Sequence, residues 1–413
     1  MPSPLPATPA LSAAVAPMTT PVVVLVLALL LGIQPVTTDL YLPALPALTE
    51  GFGASVSQAQ LTLSALLLAF GVSQLFWGPL SDRFGRRPIL LWGLSVYTAA
   101  AVASAMAASM DMLVFWRAVQ GAAMGAAVMC ARAVVRDLYA PLESARMMSR
   151  GLTGLGVIAC LCAPLCGLLT ELLDWHAALL ALAVFGAAAL ALVALCFVET
   201  VPAKNPRALQ PAMLLGTWLR ILRHPGFRAF SALSAASYGV LFTFLASSSF
   251  VFIKVLGFSK TGYGLVMFSM SFSYILGTLL CRRLLPRFGV RRSVALAAGL
   301  TLVGGTLVGV LALAGLHNGW AIMLPLYLVI LAHGVHQPCS QSGAVGPFPE
   351  AAGAASAMNG FLMMLVAFGI GAWLGQRLDA SVFPLTQGVW FWSVCIALIA
   401  WTLVRKHGES PRL

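Results

Sequence analysis

An aspartate closes the first apolar run of this chain. In T-T-D-L-Y-L-P-A-L-P, residues 37–46, Asp39 stands between an uncharged stretch, 22–33, and the prolines Pro43 and Pro46. A carboxylate taken out of water favours its protonated form. An acid in such a place can therefore load and release a proton near neutral pH. On residues alone a second reading stands beside this one: a capping or interfacial carboxylate next to Pro43. Arg117, in W-R-A-V-Q-G-A-A-M-G at 116–125, is the matching cation. Its guanidinium stays protonated at any working pH. It can snorkel to a membrane surface, or line a cavity as a fixed charge that favours ionised Asp39.

Other polar and soft residues cluster around these two in sequence. Gln34 and Tyr41 flank Asp39, and Gln120 and Met124 follow Arg117 at i+3 and i+7 on one helical face. Tyr238 and Phe242 share a face at i and i+4. Aromatic and methionine walls suit amphipathic ligands, because they adapt and impose little polar geometry; ordinary helix packing accounts equally well for each residue singly. His333 and His336 fit either a proton relay or packing polarity, and lack the third ligand a metal needs. Cys160, Cys162 and Cys166 read as small residues packing a helix, since no second Cys/His pair stands at ligand spacing. No metal and no cofactor are expected. Without a Ser/His/Asp set, paired acids or zinc spacing, an enzyme is not expected either.

The elements that must position these residues follow from composition. Of 413 residues, 60% are hydrophobic and only 9% charged, where soluble domains carry about 25%. A single soluble core cannot absorb this, because large chains split into several cores that each need a polar skin. The apolar runs are continuous, unlike the alternation of a membrane β-barrel. They fall at about 21–42, 58–79, 88–109, 112–132, 147–170, 176–198, 229–252, 261–281, 293–315, 320–342, 354–376 and 386–404, each near the roughly 20 residues that cross a bilayer. The expectation is an all-α membrane protein of twelve transmembrane helices. It is organised as a disordered segment 1–20, a six-helix bundle 21–198, a cytoplasmic loop 199–228, a second bundle 229–404 and a cytoplasmic tail 405–413.

Charge orients the chain. The net charge is +12, and the basic residues sit in short clusters between runs, without the aromatic-basic grooves of a nucleic-acid binder. With both termini cytoplasmic, all 24 Lys and Arg except Arg117, Lys254, Lys260 and Arg377 lie on the inner side, as the positive-inside rule requires. R-F-G-R-R at 83–87 and R-F-G-V-R-R at 287–292 follow the second and eighth runs, which points to two pseudo-symmetric halves in parallel repeat. In G-P-L-S-D-R-F-G-R-R-P, 78–88, Gly78 and Pro79 end one helix, Gly85 lies in the turn and Pro88 opens the next helix. Asp82 is placed to accept from the amides at a helix start. Arg83, Arg86 and Arg87 make either a topology anchor or a latch that pairs, with Asp82, to Glu199, Asp137 or Glu143 in one conformation only. Gly151, Gly154 and Gly156, then Pro164 and Gly167, mark the fifth span as close-packed and bendable.

The 78–88 stretch resembles the signature loop between helices 2 and 3 of the major facilitator superfamily. Arg117, Gln120 and Gly121 resemble its fourth-helix motif, and Glu199-Thr200 its usual end of helix 6. The D-L-Y-L-P-A-L-P stretch and F-P-E-A-A-G-A-A-S-A-M-N-G-F, 348–361, are similar to the bicyclomycin/chloramphenicol-resistance branch of drug:proton antiporters. Three positions depart from the pattern: Ala163-Pro164-Leu165-Cys166-Gly167 stands for a Gly-Pro then Gly-Gly motif, Trp175-His176 for Trp-Arg, and Leu31 where some relatives carry a second acid. The resemblance implies the superfamily fold, with Asp39 as the proton-binding acid. It implies proton-coupled efflux of small amphipathic drug-like molecules, of multidrug or amphenicol/bicyclomycin type, by alternating access. The partners would be a small-molecule substrate, protons and the lipid bilayer, with no nucleic acid. The chain would work as a monomer in the bacterial inner membrane. The rivals are an exporter or importer of a metabolite and, more remotely, a membrane-embedded enzyme.

Overall fold

The computed structural model describes residues 18–139, 141–201, 204, 206, 208–378 and 381–407. The disordered segment expected at 1–20 therefore lies outside the described residues except at its last three positions, and so does the tail beyond 407. Helix α1 spans Thr20–Asp39, and α2, Leu45–Gly51, continues its span. Then come α3 (Val56–Phe84), α4 (Arg86–Ala105), α5 (Met110–Leu138), α6 (Pro141–Leu172) and α7 (Trp175–Cys196). A helix on the basic side, α8 (Pro211–Arg223), precedes the second half: α9 (Pro225–Ser249), α10 (Lys260–Leu313), α11 (Gly319–Val345), α12 (Ala352–Arg377) and α13 (Phe383–Ile399).

Eleven of these segments are long and apolar enough to cross a membrane, and one of them is two helices. A straight helix of 54 residues would be about 80 Å long. Yet Gly319, just past the end of α10, lies against the ring of Phe258, just before its start. The chain folds back at Gly289, whose φ of 69° and ψ of 177° are not helical, giving twelve spans. Gly85, at the same place in the first copy of the repeat, has φ 108°. Both turns need the left-handed region that only glycine enters without strain.

The apolar surface explains why the helices stay helical and where lipid lies. In α7, Leu179, Leu182, Gly186 and Val193 are buried while Leu180, Val184 and Leu195 are exposed. Only hydrocarbon makes such an outer face favourable, and inside hydrocarbon the backbone must satisfy itself. Helices α1, α5, α9 and α11 are the most enclosed and form the centre. The halves meet along two seams, α3 with α12 and α6 with α10. Small residues allow the approach: Gly371 lies against Ser64, Gly71 against Met364, and a Cβ on Gly264 would stand 2.8 Å from the Pro164 backbone. The loop expected at 199–228 is interrupted by α8. Its apolar residues find a partner in the aromatic surface of α3, where Trp218 meets Phe76 edge-on at 6.1 Å.

Candidate functional site

Asp39 is the last residue of α1. Pro43, four residues on, has no amide to donate to the Asp39 carbonyl, so the α-helix ends there. A short tight turn, Leu42–Ala44, leads into α2. The carboxylate is thus held at a break in the middle of a span, half-buried. The Thr38 hydroxyl lies 2.8 Å from Asp39 Oδ1 and 3.0 Å from the Gln34 carbonyl, and its single proton serves one acceptor at a time. The turn at Leu42–Ala44 just after Asp39 packs on α9 and α10 of the second half. Gln34 interacts with Tyr238. Asp39, Gln34 and Tyr238 therefore share the junction between the halves. Tyr238 and Phe242 stack at 6.3 Å.

Arg117 occupies different ground. It is fully buried inside the first half. Its Nη2 donates to the Thr37 carbonyl at 2.9 Å and its Nη1 to Gln120 Oε1 at 2.6 Å. The guanidinium lies 4.2 Å above the Tyr41 ring, a cation–π geometry. Tyr41 in turn reaches Thr62 at 2.7 Å, and Tyr97 reaches Thr37 at 2.7 Å. Among the described residues no carboxylate lies within ion-pair distance of Arg117. It does not snorkel to a surface, and it makes no ion pair with Asp39. Tyr41 and Gln120 contact it directly, and Met124 is buried further along α5. Arg117 Nε and Gln120 Nε2 are buried without an acceptor, the sort of polar exception that gathers where proteins do work.

On the basic face the signature turn is built from three helices. Arg86 is buried and pairs with Asp82 at 2.6 Å and with Asp137 of α5 at 3.0 Å. Asp82 does not take the amides at the start of α4. Glu199, 113 residues later, does: it accepts from Arg86 N at 2.9 Å and Arg87 N at 3.1 Å. Asp82 lies in the last turn of α3, pointing to the guanidinium instead. Arg87 reaches the Ala194 carbonyl, exposed Arg83 covers the Phe84 ring, and Gly78 packs on Met129. Glu143 is exposed. In α6 the glycine row divides: Gly151 and Gly154 rest on Leu27 and Ala28 of α1, while Gly167 and the Pro164 backbone meet Lys260 and Gly264 of α10.

Several cross-half contacts were not legible in the sequence. Arg132 of α5 donates to Ser356 of α12 at 2.8 Å. On the face opposite the basic turn, Glu171 accepts from the Thr261 amide at 3.0 Å and from its hydroxyl. Beside it Lys260 reaches the Thr170 carbonyl, and Lys254 meets Glu50. In the second half His333 sits 2.8 Å from Ser237, and Asn359 joins Ser231 and Ser234. Ser and Thr within apolar runs were the available signal, but it does not say which helix answers. Among the described residues no metal-binding group of three His, Cys, Asp or Glu occurs.

The model for the Major Facilitator Superfamily matches residues 24–372. The chain belongs to that superfamily. It is 30% identical to multidrug resistance protein D of Escherichia coli over 88% of this chain and 90% of the other. It is 26% identical to the bicyclomycin resistance protein homolog of Haemophilus influenzae over 94% and 97%. A solved structure of the E. coli xylose transporter, in a partially occluded inward-open conformation, superposes with a TM-score of 0.74 at 14% identity, covering 95% of this chain and 99% of that one. At that identity the likeness speaks for the fold alone.

Proposed function

We propose that this chain exports small amphipathic drug-like molecules across the bacterial inner membrane in exchange for protons, by alternating access. Relatives named for multidrug and bicyclomycin resistance support the substrate class. The observation that carries the mechanism is Asp39 itself: a half-buried carboxylate at a helix break, placed where the two halves meet. Carboxylates within a membrane are expensive and mark proton or ion pathways. Ionised Asp39 accepts the hydrogen bond of the Thr38 hydroxyl, and neutral Asp39 leaves that hydroxyl to the Gln34 carbonyl, beside the Gln34–Tyr238 contact between halves. Loading a proton is thereby linked to how tightly the halves hold each other. One charge moved through 100 mV is worth about 2.3 kcal/mol, roughly a fiftyfold gradient.

The basic face is cytoplasmic in this reading, following the positive-inside rule, with both termini on that side. Arg117 holds the backbone just ahead of Asp39, and the Arg86–Asp82–Asp137 cluster keeps the cytoplasmic turn rigid as the halves rock. The proton gradient supplies the energy without a cofactor, the chain acts as a monomer, and no covalent chemistry is done on the cargo.

The test is a susceptibility panel of varied antimicrobials in cells with and without the protein, beside an Asp39→Asn variant. Inside-out vesicles with an imposed pH gradient give the direct measurement. The expected outcome is protection by the parent and loss of gradient-driven transport, by tenfold or more, in the variant. Full protection by Asp39→Asn would remove the proton-carrier role. Equal susceptibility with and without the parent, together with counterflow of a labelled metabolite, would favour a metabolite transporter.

A further inference from the structure

Helix α8 divides its surface into three sectors, counting about 100° per residue. Leu214, Trp218, Ile221 and Leu222 turn toward the protein and are buried or half-buried. Next to them runs an exposed apolar flank in which Leu215 is 54% and Leu219 50% exposed. Beyond that flank lie Arg220 and Arg223, both exposed. Water is a poor neighbour for two adjacent leucines, and among the described residues nothing covers them.

The place of α8 says what does. Phe76, which Trp218 meets edge-on, lies on the same exposed stripe of α3 as Leu61 and Val72. The opposite side of α3 packs on α5 and α12. An exposed apolar stripe along a membrane span faces lipid, so Trp218 docks at the lipid-facing perimeter of the bundle near the basic end of α3. The apolar flank of α8 then points at the acyl boundary and its arginines at the headgroup layer. Apolar flank, adjacent cations and an aromatic at the rim are the arrangement of an interfacial helix, and basic residues near a membrane surface draw anionic lipid.

We infer that α8 is an interfacial anchor whose partner is an anionic phospholipid surface, with Leu215 and Leu219 inserted and Arg220 and Arg223 on the headgroup phosphates. The helix touches α3 of the first half through Trp218, and α9 and α12 of the second. The lipid surface therefore holds the linker between the halves at a constant depth while they move.

The full chain with its eight native cysteines replaced by serine, reconstituted in vesicles and spin-labelled singly at Leu215→Cys or Leu219→Cys, tests this. Exposed Lys204→Cys serves as the aqueous reference and Val184→Cys, on the exposed face of α7, as the lipid reference. The ratio of collision rates with dissolved oxygen and with a water-soluble nickel chelate reads the surroundings. At 215 and 219 it should exceed the value at 204 at least threefold in phosphatidylglycerol-containing vesicles. It should fall by half or more in pure phosphatidylcholine or with Arg220→Gln/Arg223→Gln. A ratio equal to that at 204 overturns the anchor, as does exclusion of both reagents, which would mean a protein cover. Insertion that ignores lipid charge overturns the anionic partner. Unchanged thermal stability of the labelled variants keeps misfolding apart from these outcomes.

Discussion

Arg117 donates to the carbonyl of Thr37, two residues short of Asp39, and not to the carboxylate. The cation of the first half therefore holds the backbone just ahead of the acid and makes no ion pair with it. Its attachment is geometric: a fork that reaches Thr37 and Gln120 at once while lying flat on Tyr41.

Lysine cannot reproduce that fork or its stacking. Arg117→Lys is expected to cost about 1.5–3 kcal/mol, the range of a hydrogen bond to a charged group, seen as a lower Tm in detergent. It should lower transport while leaving the pH at which transport is half-maximal where the parent has it. Asp39→Asn should instead flatten the pH profile. A shift of the profile in Arg117→Lys would mean that the guanidinium acts on Asp39 after all.

Gly85 and Gly289 turn their chains at equivalent places, and neither conformation suits a side chain. Alanine at either position should cost about 1–3 kcal/mol from backbone strain. Gly85→Ala should be the more damaging, because its new Cβ would stand 3.0 Å from Glu199 Cδ and crowd the carboxylate. Parallel thermal melts decide the order.

Glu199 and Asp82 have exchanged the roles that sequence order assigns them. Glu199→Ala leaves two amides of α4 without their carboxylate, a loss of about 1 kcal/mol by analogy with other helix caps. Asp82→Asn removes one of two carboxylates on Arg86 and leaves Asp137 in place. Hydrogen exchange should therefore rise at the Arg86 and Arg87 amides in Glu199→Ala and stay at the parent level there in Asp82→Asn.

Glu171 of the first half accepts from the first turn of α10 in the second. A carboxylate at a helix N-terminus is electrostatically favourable, so this contact favours closure of the face opposite the basic turn. Glu171→Ala should open it more often. The buried native thiol of Cys166, one turn before Thr170, is the reporter once the other seven cysteines are replaced by serine, and a membrane-impermeant maleimide should label it severalfold faster in the variant. Unchanged labelling would place the closure in the Gly264–Pro164 packing alone.

The solvent, the number of spans and the two halves were all legible in the chain. Each rests on a local property: an apolar run long enough for a bilayer, or a repeated R-F-G. What reads across helices was not. Nothing in the order of residues says that Glu199 rather than Asp82 meets the start of α4, that Arg117 turns into its own half, or that Tyr238 meets Gln34. Nor does it say that 211–223 coils into a helix against Phe76. Those outcomes depend on which faces of separate helices end up opposed. Most faces here are apolar enough for lipid, so packing of the whole bundle, with small residues setting the distance of approach, chooses among them.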